Sequence, residues 1–365
     1  MRNALLLFVA IVLSLSACRS SEPNDAWSFT KPQENPVLSA DSVPVFFDPI
    51  KKDSVHWQKA DVFNPAAIIK DGKIMMLYRA EDNPAAALGG RTSRIGLAES
   101  SDGLHFTKHS TPVLYPDNSS KFLQYEYPGG CEDPRIVLTE DGHYILAYTA
   151  WNGKTARLSI ASSKDLVHWT KHGPIFLNAG VKWLDTWSKS GSIVSKLVNG
   201  NPQAVKINGK YWMLWGDTDI FLAWSNDILN WVPVTDSKGQ LVKVISPRNG
   251  FFDSGLAEPG PPALLTGKGV QLIYNGKNHD KKELSDTSFA TSMYGVGSVM
   301  LDRNDLTKII SRSAKPFLYP TLPHEKTGQY ISGTTFAEAY IEFNGKGFLY
   351  YGTADSFVGV AVREY

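Results

Sequence analysis

The chain has 365 residues, 42% of them hydrophobic and 12% aromatic, and a net charge of +1. That charge excludes the basic footprint of a nucleic-acid binder, and two cysteines exclude a disulfide framework or a Cys/His zinc site. Ten Trp and fifteen Tyr suit a carbohydrate site, because aromatic rings stack on the apolar faces of sugars, but a large β core uses them equally well.

The N-terminus reads Met1-Arg2-Asn3, then an apolar run from Ala4 to Leu15, the grammar of a secretory signal. The run is too short for a permanent membrane span. It ends in Leu15-Ser16-Ala17-Cys18, the pattern of a bacterial lipoprotein signal. Residues 1–17 are therefore expected to be removed, Cys18 to be lipidated, and 18–26 to form a polar tether. An ordinary signal peptide with a chance cysteine is the bland alternative. The expected location is exported and lipid-anchored to a bacterial membrane, on its periplasmic face or the cell surface. Fold reasoning starts at Trp27, with 27–365 as a single domain, and Cys131 is left unpaired.

From Trp27 onward one pattern recurs: a polar or Pro-containing lead-in, an apolar alternation, a tight turn and a second apolar strand. It occurs at Phe63 to Tyr78 around Asp71-Gly72, and at Glu132 to Tyr148 around Asp141-Gly142. It recurs at Asn201 to Trp215 around Asn208-Gly209, at Gly260 to Tyr274 around Gly267 to Gly269, and at Glu338 to Tyr351 around Asn344-Gly345. Asp-Gly and Asn-Gly between alternating strands are hairpin signals. Third strands follow at Ile95, Leu158, Phe221, Gly295 and Val358, and fourth strands near Phe106, Trp169, Trp231 and Ile309. The chain ends before a fifth such strand, so the N-terminal segment around Trp27-Ser28-Phe29 is expected to supply it. Five units of four short strands predict an all-β, five-bladed β-propeller, its ring closed by pairing of the N- and C-terminal strands.

In that architecture, residues leading into each innermost strand converge on the axial funnel. Here these are Asn64, Glu132-Asp133, Asn201, Glu258 to Pro262, and Glu338. The bland reading is that they cap turns. Carboxylates opposed across a pocket point instead to glycoside chemistry, in which one protonates the leaving oxygen and the other activates water or attacks. No Ser-His-Asp set, phosphate-cradling loop, metal cluster or calcium loop is apparent, and no cofactor is implied.

Tyr127-Pro128-Gly129-Gly130-Cys131-Glu132-Asp133-Pro134-Arg135 closely resembles the signature of glycoside hydrolase family 130, the β-mannoside phosphorylases and related mannosidases. The likeness extends to Phe63-Asn64-Pro65-Ala66, Arg79, Arg91 to Ser100 with Arg94 inside it, Thr155 to Leu158, and Tyr350 to Asp355. The resemblance implies a five-bladed propeller that inverts the anomeric centre. It implies Asp133 as general acid, acting through a sugar hydroxyl. It implies Asn64, Arg79 and Asp355 as holders of the mannose. Arg94 and Arg135 inside the quoted motifs, and Glu132 and Glu338 at the strand entries, are further substrate-binding candidates.

Two departures bear on the reaction. Phosphorylases of the family hold phosphate with cationic groups, and Arg157 persists here. Where they show a His-Arg type sequence, however, this chain has Trp215-Gly216-Asp217, and where they have small residues it has Ala257-Glu258-Pro259. Carboxylates repel a phosphate dianion and suit deprotonation of water. The family's hydrolytic members, which this chain resembles in these acidic replacements, act on β-1,2-mannosides, so the resemblance implies an exo-acting, inverting β-1,2-mannosidase. Asp133 is the expected acid, Glu258 the base and Asp217 its partner or substitute. Its partners are a β-mannoside oligosaccharide and, through the anchor, a membrane. A phosphorylase using Arg157 with Lys189 stays open, as does a surface lipoprotein that binds glycans without cleaving them.

Overall fold

A computed structural model describes residues 27–86, 90–118 and 120–365. The expected signal 1–17, Cys18 and the tether lie outside the described residues.

The described chain is nearly all β and runs as five consecutive antiparallel units. The first comprises Asp61–Lys70, Lys73–Glu81, Ser93–Ser100 and Thr107–Lys108. The second comprises Gly130–Leu138, Tyr144–Trp151, Ala156–Ser163 and Trp169–Pro174. Asp71-Gly72, Asn208-Gly209 and Asn344-Gly345 all have positive φ at both residues, the geometry of the two-residue turn that matches strand twist. The turn between third and fourth strands also repeats. Ser100, Ser163 and Ser225 each accept a backbone N–H three residues on, while Asp102, Asp165 and Asp227 gather the next N–H groups.

The third unit corrects the expected strand phase. Its innermost strand is Ser192–Ile193, paired with Tyr211–Trp215, which in turn pairs with Ile220–Ser225. Asn201 instead opens the return arm of an extra hairpin, Ser195–Val198 with Asn201–Ala204. Its amide brackets the backbone of Ile69, accepting from N–H at 2.6 Å and donating to the carbonyl at 2.9 Å. Asn201-Pro202 resembles Asn64-Pro65 in sequence, yet Asn201 serves a strand end and does not line the pocket that Asn64 lines. In the fourth unit Leu256–Pro259 and Leu264–Thr266 both pair with Gly269–Lys277. Pro261 and Pro262 lie in the gap between them, where their missing N–H groups leave no ladder donor unpaired. Tyr294–Leu301 and Ile309–Arg312 complete that unit.

The fifth unit has three strands, Phe336–Phe343, Lys346–Thr353 and Phe357–Glu364. Beside the last, Thr30 bridges Val362 and Leu38 bridges Val358, with Thr30 and Val362 exchanging both backbone hydrogen bonds at 2.8 and 2.7 Å. Trp27 and Phe29 stack on Phe317 and meet Tyr340 edge-on.

Strand alternation sends successive residues to opposite faces, and each face packs on a different neighbour. Met75 and Leu77 meet Leu146 and Tyr148 of the second unit, whereas Ile74, Met76 and Tyr78 meet Ile341, Phe348 and Tyr350 of the fifth. The second unit packs on the third through Ile160, Met213 and Trp215. The third packs on the fourth through Leu214, Leu222 and Leu272, and the fourth on the fifth through Ile273, Val296 and Tyr351.

Candidate active site

The first strands of the units carry irregularities where the chain enters them. The ladder slips at Asn64, around Asp133 and at Glu338. Asn64, Asp133, Ser190 and Asp355 hold φ of 49°, 49°, 54° and 49°. A bulge with a left-handed residue turns a side chain that would lie along the sheet toward its end. Gly352 gives Asn64 room, since a Cβ there would stand 1.9 Å from Asn64 Oδ1. These devices open a pocket of about 260 Å³ lined by Asn64, Arg79, Glu132, Asp133, Lys189, Glu258 and Asp355 together with aromatic rings.

Arg79 is the hub of one wall. It donates to Asp133 Oδ1 at 3.0 Å, Glu132 Oε1 at 2.9 Å, Glu81 Oε1 at 2.7 Å and Ser93 Oγ at 3.1 Å. Asn64 Nδ2 donates to the same Asp133 oxygen at 2.8 Å. Lys189 Nζ stands 3.3 Å from the other, Oδ2. Burial pushes Asp133 upward, but Lys189, Arg79 and Asn64 outweigh it and hold its carboxyl below the usual range. Glu132 moves the other way, to about 7, because burial and the Asp133 charge exceed the pull of Arg79.

Glu258 faces this wall from the fourth unit, its Oε1 accepting a short hydrogen bond from Ser190 Oγ. Burial pushes its carboxyl up to about 7, with Lys189 pulling down and Asp217 pushing up. Burial likewise raises Asp355 to about 6 against the pull of Arg79. Lys189 is held protonated: burial alone would lower it, and Asp133, Glu258 and Glu132 raise it. The pocket thus concentrates carboxylates whose affinities for a proton differ, the condition for acid and base roles to separate.

Several expected binding residues stand elsewhere. Arg94 is fully buried and clamped by Asp48 and by Asp82 at 3.0 Å. Arg157 occupies the matching place in the second unit and pairs with Asp185 at 2.9 Å. Each follows a residue on its strand, Ser93 or Ala156, that faces the site, so alternation turns both arginines away. Arg135 and Glu338 lie beneath the pocket, 3.1 Å apart. Arg135 donates to the carbonyls of Pro259 at 3.0 Å and Gly260 at 2.9 Å, which ties its strand to that of Glu258. Asp217 sits at the rim, where its Oδ2 accepts from Trp187 Nε1 at 2.6 Å.

Sequence reasoning missed Ser190, Ser93 and the aromatic lining formed by Trp151, Trp187, Tyr294, Tyr330 and Phe336. Ser190 was detectable: Ser190-Gly191 immediately precedes Ser192–Ile193, the third unit's first strand.

A family profile for glycoside hydrolase family 130, described as beta-1,4-mannooligosaccharide phosphorylase, matches residues 33–364. The chain belongs to glycoside hydrolase family 130. It is 33% identical over 313 residues to a 1,2-beta-oligomannan phosphorylase of Thermoanaerobacter, covering 84% of this chain and 91% of that one. A solved glycosyl hydrolase structure from Bacteroides ovatus shares 47% identity and a TM-score of 0.89, covering 92% of this chain and 93% of that one. Another family 130 structure has 47% identity and a TM-score of 0.89, with 92% and 94% covered. Its description states that the family of mannoside phosphorylases contains glycoside hydrolases that target beta-1,2 mannosidic linkages in Candida mannan.

Proposed function

We propose that this enzyme hydrolyses β-1,2-mannosides from the non-reducing end with inversion. The observation that carries the reading is the charge of the pocket. Its lining holds four carboxylates, Glu132, Asp133, Glu258 and Asp355, against two cations, Arg79 and Lys189. Arg79 is shared among three carboxylates and Lys189 is engaged by Asp133. Arg157, the cation that a phosphorylase reading needs, is paired with Asp185. Like unit charges about 4 Å apart repel by about 4 kcal/mol at an effective dielectric near 20, so a phosphate dianion is a poor guest and water a good one.

In this reading Glu258 takes a proton from water as the water oxygen attacks C1. The glycosidic oxygen receives a proton from a sugar hydroxyl, which is replenished by Asp133. Asn64, Arg79 and Asp355 hold the mannose ring. The empty pocket has Asp133 ionised and Glu258 near half-protonated at neutral pH, the reverse of what the step needs. Lys189 is the group able to exchange them, because its charge favours ionisation of both. A sugar hydroxyl placed at Asp133 would shift the ammonium toward Glu258, letting Asp133 accept a proton while Glu258 gives one up. The relative named as a phosphorylase favours a second reading, in which Lys189 leaves Asp133 to hold phosphate. Proton NMR of the first turnovers tests the stereochemistry: α-mannose appearing first is expected, and β-mannose first would overturn inversion.

The cyclic order of packing, with the first unit on the fifth, and the bridges from Thr30 and Leu38 to the last strand support a five-bladed propeller closed by its termini. A crystal structure in which the first and fifth units are not adjacent would overturn that. Export and lipidation at Cys18 rest on the leader sequence. Detergent-phase partitioning that is lost in Cys18→Ser is the expected behaviour, and an unchanged partition would contradict it.

A further inference from the structure

Trp187 leaves 47% of its surface exposed, an unusual cost for the largest apolar side chain, and it does so on the lining of the catalytic pocket. Its ring is not loose. The indole N–H is tied to Asp217 Oδ2 at 2.6 Å. Trp151 meets it edge-on, 5.7 Å between centroids at 68°. The neighbouring backbone is pinned by Ser188 N–H on the Ala156 carbonyl at 3.0 Å. A rigid aromatic held at a wet rim, with its polar edge already satisfied, offers its face to an apolar surface of a ligand.

We propose that Trp187 is the platform for the second sugar ring, the one that leaves, and that Asp217 is its positioning residue rather than a base. The inference rests on the pocket binding a β-mannoside, and it holds whether water or phosphate attacks. Three features converge on it. Trp187 shares the pocket with Asp133 and Glu258, so a ring outside the cleaved bond reaches it. Pyranose rings present a patch of C–H groups that stacks on indole. The Asp217 carboxylate, spent on the indole, is also placed beside Glu258 so that its charge raises the Glu258 carboxyl.

The test is calorimetric binding of β-1,2-mannobiose and of mannose to the Glu258→Gln enzyme, alone and combined with Trp187→Ala. The expected result is a loss of about tenfold in affinity for the disaccharide, the scale of one aromatic stacking contact, with mannose binding changed by less than about twofold. Trp187→Phe should recover part of the loss, and Asp217→Ala, which frees the indole, should reproduce part of it. Equal losses for both ligands, or none for either, would overturn the proposal. Turnover by the parent enzyme is read separately, so a failure of the hydrolytic reading stays distinguishable from a failure of the platform.

Discussion

Glu258 carries a carboxyl into a place that water solvates poorly, and that placement has a stability consequence that bears on its proposed role as base. Its folded value of about 7 exceeds the ordinary 4.5. A carboxyl raised in this way favours the fold while protonated, and the contribution is lost as pH rises from about 4.5 through about 7. The strain on the ionised form is on the order of 3 kcal/mol. Glu258→Gln keeps an acceptor for Ser190 and removes the ionisation. Its thermal midpoint should therefore exceed the parent's at pH 8 and match it near pH 5. Its kcat should fall by about 10²-fold or more, as for loss of a general base. An equal midpoint difference at both pH values, or retained turnover, would remove Glu258 from the role. For the parent, the acidic limb of kcat/KM should fall between about pH 6 and 7, where Asp355 and Glu258 ionise.

Between single residues and the whole molecule, the decisive elements are the irregular starts of the units' first strands. Arg135 ties two of them. Its guanidinium binds the carbonyls just after Glu258 while its own strand carries Asp133 two residues earlier. Lys at this position keeps the charge but not the fork. Arg135→Lys should lower kcat about tenfold or more with KM nearly unchanged, because spacing of the reacting groups suffers while the sugar contacts remain. A rise in KM at constant kcat would instead make Arg135 a substrate contact. These strand starts also mark where sequence reasoning stopped working. Asn64 and Asp133 were legible because a polar residue leads a Pro and an apolar alternation. Asn201 carries the same signal and goes elsewhere, since nothing local says that a hairpin interrupts the third unit. Arg94 and Arg157 resemble ligands by likeness, whereas strand alternation, a tertiary fact about which face meets the pocket, turns them toward Asp48, Asp82 and Asp185.

At the scale of the whole molecule, the five repeats were readable because turn chemistry is local: Asp71-Gly72, Asn208-Gly209 and Asn344-Gly345 fold as their sequences demand. The aromatic lining was not, because Trp151 and Trp187 are separated by 36 positions in the chain and meet only after the second and third units pack. The site's chemical identity follows from what those units bring together, a pocket richer in carboxylates than in cations. Hydrolysis in preference to phosphorolysis is the claim that depends on it most. The direct measurement is product analysis from β-1,2-mannobiose with and without inorganic phosphate, resolving mannose from mannose 1-phosphate. Free mannose at a rate indifferent to phosphate is the result predicted by this charge balance. Mannose 1-phosphate formed only when phosphate is present would contradict it.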